Sequence, residues 1–212
     1  MKKLLFAALF ISVASLGWSQ TAGSDAKKWE LQLQGGLGLP VSPYFAGGYP
    51  GESAAKFNTG FNFGGAFGYK ISPQLSVLAD LEMHDFRSNV ITSSPNYYYF
   101  WDTTQLSLLL KYRFLTGPIT PFIFGGPGVV LNEAGYNYEY PSPGAYSYEL
   151  GAFDALLQAG VGVEYALNED FSVFAQASYI IDFNDAYLVD YVEGADMPTR
   201  WVPVQAGVIL NL

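Results

Sequence analysis

Between residues 157 and 181 the chain alternates apolar and polar positions twice. Leu157, Ala159, Val161, Val163 and Tyr165 interleave with Gln158, Gly160, Gly162 and Glu164. After Leu-Asn-Glu-Asp, Phe171, Val173, Ala175, Ala177, Tyr179 and Ile181 interleave with Ser172, Phe174, Gln176 and Ser178. Period two gives one apolar and one polar face, as on a β-strand, and the short polar link predicts a hairpin. Each arm has about ten residues, which is what a tilted strand needs to cross a bilayer.

The rest of the chain repeats the pattern. Spans are predicted at 29–39, 61–71, 75–84, 104–114 and 204–212, in addition to the hairpin. The segment 121–131 (PFIFGGPGVVL) is apolar on both faces and contains Pro127, which removes a ladder donor. It counts as a span because without it the chain would end on the wrong side. The total is then eight, with short turns alternating with long loops at 40–57, 88–99, 132–153 and 182–200.

Glu30, Lys70, Asp80, Glu82, Lys111, Arg113 and Glu164 all fall on the parity opposite the apolar stripe. Parity alone does not say which face looks out, so a soluble barrel with an apolar interior competes with a membrane barrel. The aromatic residues decide between them. Trp29, Tyr69, Tyr112, Phe114, Tyr165 and Phe171 cluster at one end of the stripe, and Phe61, Tyr179 and Trp201 at the other. Such belts mark the two membrane interfaces of transmembrane barrels, and Tyr99 and Trp101 fit the same position. The expected fold is all-β: an eight-stranded, antiparallel, up-and-down transmembrane β-barrel. Short turns then belong to the periplasmic side, which places both termini there.

Residues 1–20 have the layout of a secretory signal: Lys2 and Lys3, an apolar core, then Gly17-Trp18-Ser19 before the cut. Residues 21–212 form the predicted barrel domain. The formal net charge of −9 argues against a nucleic-acid partner. The absence of cysteine excludes disulfides, thiolate metal sites and an N-terminal lipidated Cys.

The stretches QLSLLLKYRF, PFIFGGPG and LQAGVGVEYAL, FSVFAQASY, and the terminal AGVILNL resemble the small outer-membrane β-barrel domain family, which includes OmpA/OmpX-like and PorT-like proteins. The resemblance covers essentially the whole mature chain. It implies fold and outer-membrane location, while function varies within the family. Many members end in Phe or Trp, read by the barrel-assembly machinery during insertion, and Leu212 departs from that. A peptidoglycan-binding domain of the OmpA type is not expected after the last strand.

An eight-stranded interior is just wide enough to be filled by side chains. The lumen is therefore expected to hold a polar network of Glu30, Lys70, Lys111, Arg113 and Glu164 near the periplasm, with Asp80, Glu82, His84 and Gln158 nearer the outside. Two readings stand: a paired polar core, or a narrow ion path. His84 is the only histidine, with Asp85 beside it and Ser88 nearby. The spacing matches no catalytic motif, so no catalytic residue is expected, and the scattered acids suggest no metal site or cofactor. Tyr136, Tyr138, Tyr140, Tyr146 and Tyr148 lie among Gly, Pro and Ser in the longest predicted loop. They are either strand extensions with aromatics paired across strands or a binding surface, since Tyr with Gly and Ser is a common recognition composition. The partners expected are membrane lipid and, at the outer loops, a glycan or a protein, for a monomeric barrel with a structural or surface-interaction role. A small pore or a lipid-modifying enzyme is the alternative.

Overall fold

The computed structural model describes residues 27–41, 58–87, 97–138, 146–183 and 199–212; the side chains of 97–99, 134–138 and 146–152 lie outside the description. Residues 1–26, 42–57, 88–96, 139–145 (with Tyr140) and 184–198 are also outside it.

Eight strands follow one another in chain order: β1 (Trp29–Pro40), β2 (Gly60–Lys70), β3 (Leu75–Arg87), β4 (Tyr97–Arg113), β5 (Ile119–Tyr138), β6 (Tyr146–Ala166), β7 (Phe171–Asp182) and β8 (Thr199–Asn211). Each pairs antiparallel with the next, and β8 returns to β1 to close the barrel. Closure leaves no sheet edge in the wall, which a bilayer requires because it offers no water to unpaired backbone groups.

The period-two pattern sorts the two faces. Leu33, Leu37, Phe61, Phe63, Leu108, Leu110, Val161 and Val208 are exposed on the outside. Glu30, Gln32, Asp80, Glu82, Gln105, Lys111 and Gln158 are buried inside. Exposed apolar wall and buried polar lumen are the arrangement of a membrane barrel rather than a soluble one. Tyr69, Tyr112, Phe114, Tyr165 and Phe171 are exposed in a belt at the short-turn end, and Trp29 stacks there on Phe67 at 5.1 Å.

Two expectations are corrected. The segment 132–153 is not mainly loop: β5 and β6 stay paired from Ile119↔Tyr165 to Tyr138↔Tyr146, and β4 begins at Tyr97 rather than 104. Alternation weakens there, but tyrosines and small residues still suit a pleated strand. Trp201 and Trp101 are not interfacial; they are 0% and 1% exposed, inside the lumen. Both are odd-numbered on strands whose outward residues are even, so parity places them inside.

The doubly apolar β5 is explained by the same correction. Its inward residues Phe122, Phe124 and Val130 join two apolar clusters within the lumen. Pro127 looks outward, and the β4–β5 register skips Gly126 and Pro127. On β8 the β7–β8 register is also interrupted at a proline, Pro203, which is buried and on the lumen parity. Lumen rings are seated on glycines of the neighbouring strand. Phe122 pairs with Gly162, Phe124 with Gly160 and Phe174 with Gly207, and a Cβ at Gly162 would lie 2.3 Å from the Phe122 ring.

Candidate functional site: the layered lumen and the extended sheet

From the short-turn end upward the lumen is built in layers. The first is ionic. Arg113 donates from Nη2 to Glu30 Oε2 at 2.6 Å, from Nη1 to Ser76 Oγ at 2.7 Å and from Nε to Glu164 Oε2 at 3.1 Å. One guanidinium thus ties β1, β3 and β6 to β4, using the planar donor fork that only arginine has. Lys111 Nζ donates to the same Glu164 oxygen at 3.1 Å and lies 4.2 Å from the centre of the Phe122 ring. Gln32 donates to the second oxygen of Glu30, and Lys70 reaches Asn211 at 2.7 Å.

Above it sits an apolar collar of Ala66, Leu78, Leu109, Phe122, Phe124, Phe174 and Ile209. A void of about 10 Å³ between Lys111 and Asp80 is bounded in equal parts by collar and polar side chains. The next layer is polar and centred on Glu82. Gln34 Nε2 donates to Asp80 at 3.0 Å and to Glu82 at 2.8 Å, and Gln105 donates to Glu82 at 3.3 Å. Gln176 links Gln34 to Gln205, which donates in turn to Asn62. Gln158 accepts from Gln105 and donates to Ser178.

His84 crowns this layer. Its Nε2 lies 3.1 Å from Glu82 Oε2, and its ring meets Phe86 at 6.1 Å and Trp201 at 5.7 Å. The sequence sets Asp85 beside His84 as a possible acid, but strand alternation sends Asp85 to the exposed outer face while His84 is buried. Ser88 lies outside the described residues. Among the described residues no group of three His, Asp or Glu side chains is placed to hold a metal ion.

The last layer is an aromatic plug: Phe86, Trp101, Val130, Leu156, Ile180 and Trp201, each 0–2% exposed. Phe86 stacks on Trp101 at 4.7 Å, and Trp101 meets Trp201 edge-on at 5.3 Å. Trp101 Nε1 donates to Asn132, whose own amide donates to Asp182 at 2.6 Å and Asp154 at 3.2 Å. Sequence reasoning missed this plug, although the parity of Trp101, Trp201, Phe86 and Ile180 carries the signal.

Among the described residues, three strands continue beyond the plug. β3 last pairs at Arg87↔Phe100 and β7 at Asp182↔Leu156, whereas β4, β5 and β6 run on together to Tyr97, Tyr138 and Tyr146. The register aligns Tyr99, Tyr136 and Tyr148 in one row and Tyr97, Tyr138 and Tyr146 in the next. Both rows have the parity of the lumen-facing residues lower on the same strands. The opposite parity carries Glu133, Gly135, Asn137, Ser147 and Glu149. Four of the five loop tyrosines singled out in the sequence therefore stand in this grid, joined by Tyr97 and Tyr99 of β4.

A closed eight-stranded barrel with an apolar wall and a filled polar lumen defines a small outer-membrane barrel. The chain belongs to the outer membrane protein beta-barrel domain family, whose pattern it matches over residues 6–198. Among solved structures it is similar to a major outer membrane protein of Thermus thermophilus, with a TM-score of 0.52 at 12% identity, covering 87% of this chain and 99% of that one. It is also similar to Neisserial surface protein A, with a TM-score of 0.50 at 14% identity, covering 90% and 100%. At these identities the likeness concerns the fold. No curated protein matches the chain.

Proposed function

We propose that this outer-membrane barrel is a surface-recognition protein. In this reading the barrel is a sealed anchor, the short turns and both termini face the periplasm, and the β4–β6 extension projects outward to meet a glycan or protein. The observation that carries it is the alignment of six tyrosines at register positions of one parity on a three-stranded extension. Beyond its last β7 pair, β6 continues for ten residues, about 30 Å of strand. A scaffold needed only for the bilayer has no use for that length, because the apolar band is about 25 Å tall. Tyrosine offers large, amphipathic contact area with few torsions to freeze.

The reading takes the protein as a monomer without catalytic role or cofactor. The continuous filling of the lumen by ion layer, collar, polar layer and plug supports an anchor over a standing ion path. The test replaces Tyr97, Tyr99, Tyr136, Tyr138, Tyr146 and Tyr148 with Ser in cells displaying the protein. Unchanged heat-modifiable migration on gels would show an inserted barrel. Binding to glycan arrays and to host-type cells should then fall to background; undiminished binding rules the grid out.

A further inference from the structure

Charge is sorted along the axis of this barrel. Lys27, Lys28, Lys70, Lys111 and Arg113 stand at the short-turn end. From residue 114 to residue 199 there is no lysine, arginine or histidine, yet that stretch carries twelve of the nineteen acids. Nine of the twelve fall in residues 132–154 and 182–199, which lead into and out of the opposite end. The register gathers several acids at the root of the β4–β6 extension. Asp85 is opposite Asp102, Asp102 is opposite Glu133, and Glu149 is opposite Gly135, two residues further along. Like charges set opposite one another destabilise a strand pair, a cost that Arg87 offsets between the two aspartates. A field of this sign draws cations and turns anions away over a screening length of about 8 Å at physiological salt.

The six tyrosine positions follow directly above that root. Adjacent strands lie about 4.8 Å apart and alternate residues about 6.8 Å apart, so two rows of three span roughly 10 by 7 Å of backbone. A folded partner docks through about 800 Å² of its surface. A patch this small suits the side chains of one short segment instead. Tyrosine attracts cations to its ring face, and arginine stacks there more readily than lysine. An anionic glycan would be repelled, and an uncharged one would leave the sorting of charge unused. We propose that the extension docks an arginine-bearing segment of a partner protein, the tyrosine rows receiving guanidinium groups and Glu133 and Glu149 adding to the attraction. This rests on the recognition role given to the extension above, and narrows its partner from a glycan or protein to a basic peptide.

The test titrates the refolded protein, in nanodiscs of zwitterionic lipid, into a fluorescent peptide of alternating Gly and Arg, read by anisotropy. Saturable binding is expected, with none to a Gly–Glu peptide, and affinity should fall at least tenfold between about 50 and about 500 mM salt. Replacing the six tyrosines with Ser should weaken binding by about tenfold or more. Glu133→Gln with Glu149→Gln should weaken it about fivefold. Both variants are first checked for heat-modifiable migration. Binding indifferent to the tyrosines means that acids merely attract any polycation, and overturns the proposal. So does displacement by millimolar magnesium at fixed ionic strength, which would make the acids a cation site. Should a variant fail to fold, a Gly–Lys peptide decides on the unaltered protein: it should bind several-fold more weakly, and equal affinity overturns the stacking. No peptide binding, beside glycan or cell binding that Tyr→Ser abolishes, defeats the basic segment and leaves the recognition surface standing. If Tyr→Ser changes neither, both fall.

Discussion

The lumen is closed at two levels by opposite chemistry. At the short-turn end, Arg113, Lys111, Glu30 and Glu164 hold one another with directed bonds between 2.6 and 3.1 Å. At the extended end, Phe86, Trp101 and Trp201 close the bore by packing, with ring centres 4.7 and 5.3 Å apart. The ionic layer depends on every partner being present, because a buried charge stripped of its counter-ion is what costs most. The plug depends mainly on volume, although the Trp101 indole also donates to Asn132. Charges therefore set register and geometry across the bore, while apolar volume seals it.

Truncating the plug should produce the largest effect. Trp201→Ala removes a fully buried indole and is expected to cost about 3–5 kcal/mol, read as a lowered urea midpoint of the detergent-refolded barrel. The double variant with Trp101→Ala should also give discrete conductance steps in planar bilayers, where the unaltered protein is expected to give none. Silence from the double variant would mean that the collar, not the plug, is the seal.

The ionic layer should respond to single and paired changes differently. Arg113→Met leaves Glu30 buried without its cation and is expected to destabilise by about 3 kcal/mol. Adding Glu30→Met should restore a large part of that loss, because Lys111 remains on Glu164 at 3.1 Å. Neither variant should conduct, since the plug stays in place. A double variant no better than the single would mean that Arg113 acts mainly through Glu164 and Ser76.

The apolar rings of the collar need notches. Gly162→Val sets a Cβ 2.3 Å from the Phe122 ring and 2.7 Å from the Ala175 carbonyl oxygen, an overpacking expected to cost about 1–3 kcal/mol. Phe122→Leu in the same chain should recover part of it if the ring is the obstacle; no recovery would assign the cost to the β7 backbone.

Much of this architecture is legible in the residue pattern. Shared parity puts Glu30, Asp80, Glu82, Lys111 and Arg113 on one face, and the aromatic belts on the opposite face make the charged face the bore. The plug was hidden by a conflict between two rules. Aromatics near strand ends suggest an interfacial belt, whereas the odd numbers of Trp101 and Trp201 put them inside; parity is the stronger rule, being fixed by the pleat. The group around Arg113 was legible, since Glu30, Lys70, Lys111 and Glu164 were placed at the same end, but the bonds within it were not. Which of five charges meet depends on barrel shear, and that belongs to the register of all eight strands together. The extent of β5 and β6 was half legible: the segment reads as a long loop, yet strand extension was one of the two readings of its tyrosines, because Gly, Ser and Tyr are equally at home in loops and in solvated strands.

The smallest effect is expected where the same chemistry as the ionic layer meets solvent. On the outer face Asp85 is directly opposite Asp102, and Arg87 bonds both at 2.7 and 2.9 Å. Like charges opposite one another destabilise a strand pair, so Arg87→Ala should cost through the repulsion it leaves behind. Arg87 is 44% exposed and the two acids 52% and 20%, which limits that cost to about 0.5–1 kcal/mol at low ionic strength. Raising the salt from about 20 mM to about 500 mM should erase most of it, because the screening length falls below the separation of charges further along the rim. The Arg113→Met loss, by contrast, should survive the same salt. Equal salt sensitivity at both positions would mean that the short-turn layer is open to bulk ions, and the contrast between a buried and a solvated arginine would have to be abandoned.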